Sequence, residues 1–186
     1  VMMLRTLAAM ARVDGRVAVL LEPIALYMSK DLHDAGDGQW LFDYPAQGQA
    51  LVPGEGRVYA PEADDLVVYT YGNGVPMALR AARAIEQQLG WQVRVVDLRW
   101  LVPLDAGFIA GQAASARRVL VLDEGRHSGG VGEGVVTALV EAGFGHLPLR
   151  RVCGADTYTP LAGAAMFGLP SDNAVIGAAL DLAQEP

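Results

Sequence analysis

Four short apolar runs, VVYTY (67–71), VRVVD (93–97), VLVLD (119–123) and LRRVC (149–153), recur along the later two thirds of the chain. Each has the length and β-branched content of a buried strand. Between them the apolar positions change period. After the first run, Met77, Ala81, Ala84, Ile85 and Leu89 fall at helical spacing, and Gly72 with Asn73 marks the turn that leads in. The stretches 104–116, 131–143 and 171–184 read as further helices, the last opened by Ser171 as N-cap. Strands that alternate with helices form a mostly parallel sheet, because each crossover lays its helix on a face. The expected fold is α/β: a three-layer α/β/α domain with a mostly parallel five-stranded sheet.

The first third reads differently. VMMLRTLAAMARV (1–13) fits a helix and RVAVLLE (16–22) a strand, with Asp14 and Gly15 between them. A helix and a strand bury too little to fold by themselves, so this pair is expected to be a remnant of a preceding domain, and the chain a piece of a longer protein. Residues 29–65 are rich in Gly, Pro, Asp and Gln without sustained periodicity, and read as a connecting segment on the surface. Within them Trp40, Phe42 and Tyr44 alternate, which suits a short strand or a linker docked on an apolar surface.

Composition narrows the partners. The 186 residues are 52% hydrophobic, enough for one good-sized core plus an appendage. A formal charge of -7 with a pI near 4.8, and 14 scattered Lys and Arg, argue against nucleic acid and anionic membrane. The single cysteine, Cys153, cannot form an internal disulfide and is expected to be a buried structural thiol. No apolar run reaches the roughly 18 residues of a membrane helix. Arg5 and Arg12 interrupt the apolar N-terminal stretch, so it does not read as a signal peptide. A cytoplasmic location follows by default.

Candidate chemistry gathers in LDEGRHSGGVGEGVV (122–136), where Asp123, Glu124, His127 and Ser128 share one glycine-rich turn. A carboxylate, an imidazole and a hydroxyl are the parts of acid–base or nucleophilic catalysis. The simpler reading is a strand-to-helix corner, with Gly129 and Gly130 allowing positive φ or close backbone approach. The alternative is an anion site at the following helix N-terminus. GNGVP (72–76) carries the same two readings, and its spacing fails the dinucleotide fingerprint. Asp97 and Arg99 stand at the carboxyl end of a strand, where α/β folds place ligands, or pin the next loop as an ion pair. Trp100 reads as an interface or core anchor, and His33 and His146 as solvated loop residues.

Several ordered motifs, VAVLLEPIALY (17–27), DLVVYTYGNGVPMALRAA (65–82), VRVVDLRWLVPLD (93–105), RVLVLDEGRHSGGVGEGV (118–135) and GADTYTPLA (154–162), make nearly the whole chain resemble the beta portion of thiamine-diphosphate-dependent 2-oxo acid dehydrogenases. The resemblance implies that residues 1–28 are the tail of a pyrimidine-binding domain, 29–65 a linker, and 66–186 a transketolase C-terminal-like domain. It implies a parent that decarboxylates a 2-oxo acid with thiamine diphosphate and Mg2+ and passes the acyl group to a lipoyl acyltransferase core. It also implies that the catalytic glutamate and histidine of that family lie upstream of Val1, so no catalytic, cofactor-binding or metal-ligating residue is expected here. His127 alone is a candidate for the mouth of the assembled site. The family's diphosphate motif is a Gly-Asp-Gly followed by paired asparagines. Gly36, Asp37 and Gly38 spell the tripeptide, but no asparagine pair follows, and it is read as coincidence. The expected role is therefore homo-oligomerisation and docking, with no cofactor bound to these residues. The alternatives are the last domain of a 1-deoxyxylulose-5-phosphate synthase or transketolase, or a non-catalytic assembly module.

Overall fold

A computed structural model of the chain describes residues 1–185. The residues fall into two units, 1–55 and 56–186.

The second unit is built on a five-stranded sheet. In chain order it contains β1 (Arg57–Tyr59), β2 (Leu66–Thr70), α2 (Gly74–Leu89), β3 (Val93–Asp97), α3 (Ala106–Ala113), β4 (Val119–Arg126), α4 (Val131–Glu141), β5 (Leu149–Gly154) and α5 (Asp172–Ala183), and α1 (Met2–Val13) belongs to the first unit. The strand order is β1-β3-β2-β4-β5. All pairs are parallel except β1 with β3. β2, in the middle, is buried at all five positions, which is why its run is apolar without alternation.

Side chains of successive strand residues feed two separate layers. Leu66, Val68, Val95 and Leu120 pack with Ala81 and Ile85 of α2 and Val175 and Leu182 of α5. Val67, Tyr69, Val96 and Val121 pack with Ile109 of α3 and Val135 and Leu139 of α4. The three-layer α/β/α expectation therefore holds, with α2 and α5 on one face and α3 and α4 on the other.

Helix ends follow the sequence signals. The Ser171 hydroxyl accepts from the Ala174 amide and the Asp105 carboxylate from the Phe108 amide. α2 ends at Gly90 in the left-handed region. Arg80 of α2 forms two hydrogen bonds, 2.6 and 2.9 Å, to Asp172 in the first turn of α5. Arg94 is buried on β3, and its guanidinium donates to the Gln112 carbonyl and the Ser115 hydroxyl beyond the end of α3. A cation there complements the negative end of the helix.

The first unit has one α-helix, α1 (Met2–Val13), as its spacing predicts, and a short 3-10 helix at Ile24–Leu26. Thr6 ties it to the 46–51 segment: its hydroxyl donates to the Leu51 carbonyl at 2.7 Å and accepts from the Leu51 amide at 2.9 Å. Arg5 donates to the Ala46 and Gln49 carbonyls.

Two expectations are corrected. RVAVLLE forms no strand: residues 15–23 carry no regular structure, and Val17 is 97% exposed. A strand exists only with a hydrogen-bonded neighbour, and among the described residues none lies beside this run. The 29–65 segment is not all connection, because Arg57–Tyr59 pairs with Val95–Asp97 and supplies the fifth strand. Trp40, Phe42 and Tyr44 form no strand, although the Trp40 and Phe42 rings meet edge-on at 5.2 Å.

Candidate functional site

Neighbouring parallel strands β2 and β4 send their chains to opposite faces, β2 into α2 and β4 into α4. Such a switch point opens a crevice beyond the carboxyl ends of the strands, the usual place for ligands in this architecture. Here Tyr71, Gly72 and Asn73 follow β2, and Asp123 to Gly130 come from the end of β4 and its turn.

The crevice is bridged by the chain's own side chains. The Tyr71 hydroxyl donates to Asp123 Oδ1 at 2.6 Å, and Asn73 Nδ2 donates to Glu124 Oε2 at 2.9 Å. Asp123 is 1% exposed and also accepts from the Gly125 amide at 2.7 Å and the Gly132 amide at 2.7 Å. Three donors satisfy a buried carboxylate that has no ion pair among the described residues. Burial, reinforced by the Asp123 hydrogen bond, pushes the Tyr71 phenol well above its ordinary value, so it stays a donor.

The glycine-rich turn is shaped around that carboxylate. A Cβ on Gly130 would come within 2.6 Å of the Arg126 carbonyl and 2.7 Å of Asp123 Oδ2, and Gly129 has φ +72°. The amide of Gly132, in the first turn of α4, donates to Asp123, so the seat an anion would take is filled by an internal carboxylate. The corner reading is the one this geometry fits. At the matching start of α2, a Cβ on Gly74 would lie 1.9 Å from Thr70 Oγ1, a clash that glycine avoids.

The four candidates of this turn are not brought together. Asp123 points into the corner and Glu124 to Asn73. Ser128 donates its hydroxyl to Asp156 Oδ2 at 2.6 Å and its amide to Asp156 Oδ1 at 2.9 Å. These bonds hold the Asp156 carboxyl below its usual range. The His127 side chain is exposed, while its amide donates to the Gly154 carbonyl at 3.0 Å and its carbonyl accepts from Arg151. A nucleophile needs its base within hydrogen-bond reach, and the Ser128 hydroxyl is directed to a carboxylate instead of the imidazole.

Asp97 and Arg99 form the loop-pinning pair. Arg99 Nε lies 3.4 Å from Asp97 Oδ2, and the Arg99 amide donates to Asp97 Oδ1 at 3.2 Å. Burial raises the Asp97 carboxyl above its ordinary value, opposed by the Arg99 charge. Cys153 is half-buried rather than buried, with an Arg151 nitrogen 3.7 Å from its sulfur. It stands at the end of an edge strand, where only one neighbour covers it. His33 is half-buried, contrary to expectation, and His146 is exposed.

Gly36, Asp37 and Gly38 fold a loop. Asp37 accepts from the amides of Leu32, His33, Asp34 and Gln39, which hold its carboxyl far below the usual range. A carboxylate so occupied does not fit the role of a diphosphate-bound magnesium ligand, which needs free oxygens in octahedral array. Sequence reasoning missed the Tyr71–Asp123 and Asn73–Glu124 bridges. The available signal was that Tyr71, Asp123 and Glu124 directly follow or end buried runs and Asn73 directly precedes one.

Fold and crevice together define a doubly wound α/β domain whose switch point is bridged from within. The family model described as the transketolase C-terminal domain matches residues 54–173, and the chain belongs to that family. It is 33% identical over 168 residues to the beta subunit of 3-methyl-2-oxobutanoate dehydrogenase from Mycobacterium tuberculosis, covering 89% of this chain and 45% of that protein. It is 35% identical over 117 residues to the pyruvate dehydrogenase E1 component subunit beta of Staphylococcus aureus, covering 62% of this chain and 36% of that one. The chain thus spans less than half the length of these relatives. Among solved structures, a split-gene transketolase in an inactive beta4 tetramer superposes with a TM-score of 0.62 at 26% identity, over 76% of this chain and 45% of that one. No helix among the described residues is long and apolar enough to cross a membrane.

Proposed function

We propose that this chain is the carboxyl-terminal part of the beta portion of a thiamine-diphosphate-dependent 2-oxo acid dehydrogenase, and that its own work is assembly. The observation that carries this reading is the bridged crevice: the position where the fold would hold a ligand is spanned by Tyr71–Asp123 and Asn73–Glu124. The similarity to beta subunits over 89% of the chain supports the choice of parent. In this reading residues 1–28 are the tail of a pyrimidine-binding domain, residues 29 to about 55 a linker, and the sheet unit the domain that pairs subunits and docks on a lipoyl acyltransferase core in the cytoplasm. Exposed apolar side chains on the loops after β3 and β5, Val102, Tyr158, Leu161 and Phe167, support an assembly surface. The exposed ring of His127 stands at the mouth of the assembled site. Thiamine diphosphate and Mg2+ are held by other parts of the parent, where the cofactor supplies the carbanion chemistry of decarboxylation.

Titration calorimetry with thiamine diphosphate and Mg2+, paired with co-sedimentation on a lipoyl acyltransferase core, tests this. The expected result is no cofactor heat and co-sedimentation. Magnesium-dependent micromolar binding of the cofactor would overturn it. A transketolase parent is the second reading, favoured by the superposition on the split-gene transketolase. That parent predicts self-assembly without co-sedimentation.

A further inference from the structure

The loop from β3 to α3 carries three features that the fold leaves unexplained. Arg99 has φ +56°, and the Trp100 amide donates to the Leu98 carbonyl two residues back. That is a γ-turn of the rare, strained hand, in a residue with no glycine freedom. The indole Nε1 of Trp100 is buried without a hydrogen-bond partner. A buried indole N–H ordinarily finds an acceptor. At the tip of the loop, Val102 is 90% exposed. Against these costs stand the contacts of Asp97, which accepts the Arg99 amide and pairs with its guanidinium.

We propose that the loop 98–105 is a two-state element, latched by Asp97 with Arg99 in the strained turn, which releases to turn Trp100 outward beside Val102 on the carboxyl face of the sheet. Relaxing Arg99 to negative φ removes the backbone penalty and redirects the chain at the next residue. The released indole N–H then reaches an acceptor, water or a partner's carbonyl. The cost of release is the Asp97 latch and the exposure of a half-buried indole, set against the relief of the strained turn and of the unpartnered N–H. The inference stands on the loop alone and does not depend on the proposed parent enzyme.

Two substitutions at one position separate strain from charge. Arg99→Asn and Arg99→Val both remove the guanidinium, but asparagine tolerates a left-handed φ and valine does not. In the full chain labelled with 5-fluorotryptophan, Trp40, Trp91 and Trp100 give three fluorine signals, and Trp100→Phe assigns the third. The expected wild-type Trp100 signal shows relaxation dispersion. In the valine variant it moves toward a solvent-exposed shift, in the asparagine variant toward the buried one, with released-to-latched ratios that differ by about tenfold. Trp40 and Trp91 stay in place in both. A dispersion-free Trp100 signal at the same shift in both variants overturns the proposal.

Discussion

Asp123 is the residue on which the carboxyl end of the sheet turns, because Tyr71, Gly125 and Gly132 all donate to one carboxylate that water does not reach. Tyr71→Phe removes one donor and leaves a buried lone pair, so it should lower unfolding free energy by about 1–2 kcal/mol in urea titrations. Asp123→Ala leaves three donors unpaired and should cost about 3 kcal/mol or more by the same measurement. Gly74 offers a test of a different kind. Gly74→Ala drives a methyl group into Thr70 Oγ1 and should destabilise by about 2–3 kcal/mol, while Thr70→Ala removes a buried hydroxyl with no partner and should be nearly neutral. The double variant should recover more than half of the loss, a non-additivity that follows from contact. Asp97 sets a pH dependence. Its folded-state carboxyl titrates above the ordinary value, so the native state holds the proton more tightly. Its contribution is complete below the unfolded value of about 4 and is lost as pH rises through the folded one. Thermal melts should therefore show wild type losing ground to Asp97→Asn as pH rises above about 4. A constant gap would mean that Asp97 titrates alike in both states.

At the scale of elements, the central strands carry the fold. Val95 and Val121 are 0% and 2% exposed on opposite faces, and truncating either to alanine should cost about 1–3 kcal/mol, read from denaturation midpoints. These strands were legible because parallel strands covered on both sides have no polar alternation to hide them, and their observed bounds depart from the expected ones by a residue or so. β4 is the exception. The apolar pattern stops at Asp123, but the backbone ladder continues past an irregularity to Arg126, since pairing with β5 concerns amides and not side chains. β1 was illegible for a related reason: three residues are too few to show a period, and Arg57–Tyr59 is a strand only because β3 stands beside it. RVAVLLE shows the converse, a strand-like sequence that stays irregular without a neighbour. The candidate turn was located correctly as a glycine-rich corner, but the destination of Asp123 was not readable. Its partner Tyr71 is 52 positions away, and only the fold brings the two together.

At the scale of the whole molecule, the two units differ in what they bury. Among the described residues every buried hydrophobic one lies between Ala63 and Leu182, whereas Thr6 is the only buried residue among 1–55. A chain starting at Gly56 should thus unfold cooperatively with a midpoint near that of the full chain, and a 1–55 peptide should show little ordered structure by circular dichroism. Val17, Val19, Leu21, Ile24 and Met28 are exposed in one run, so removing residues 1–28 should also reduce self-association in light scattering. A full chain that remains monomeric across the micromolar range would contradict that. The sheet itself sets limits on how copies can join. One margin ends in β1, three residues long and antiparallel to its neighbour, which offers an incoming strand almost no length to bind. The opposite margin is the six-residue β5. A plate with one blunted side and one usable side cannot be tiled. Joining usable side to usable side consumes both in a closed two-fold pair, and the row that would grow into a fibre has no second step.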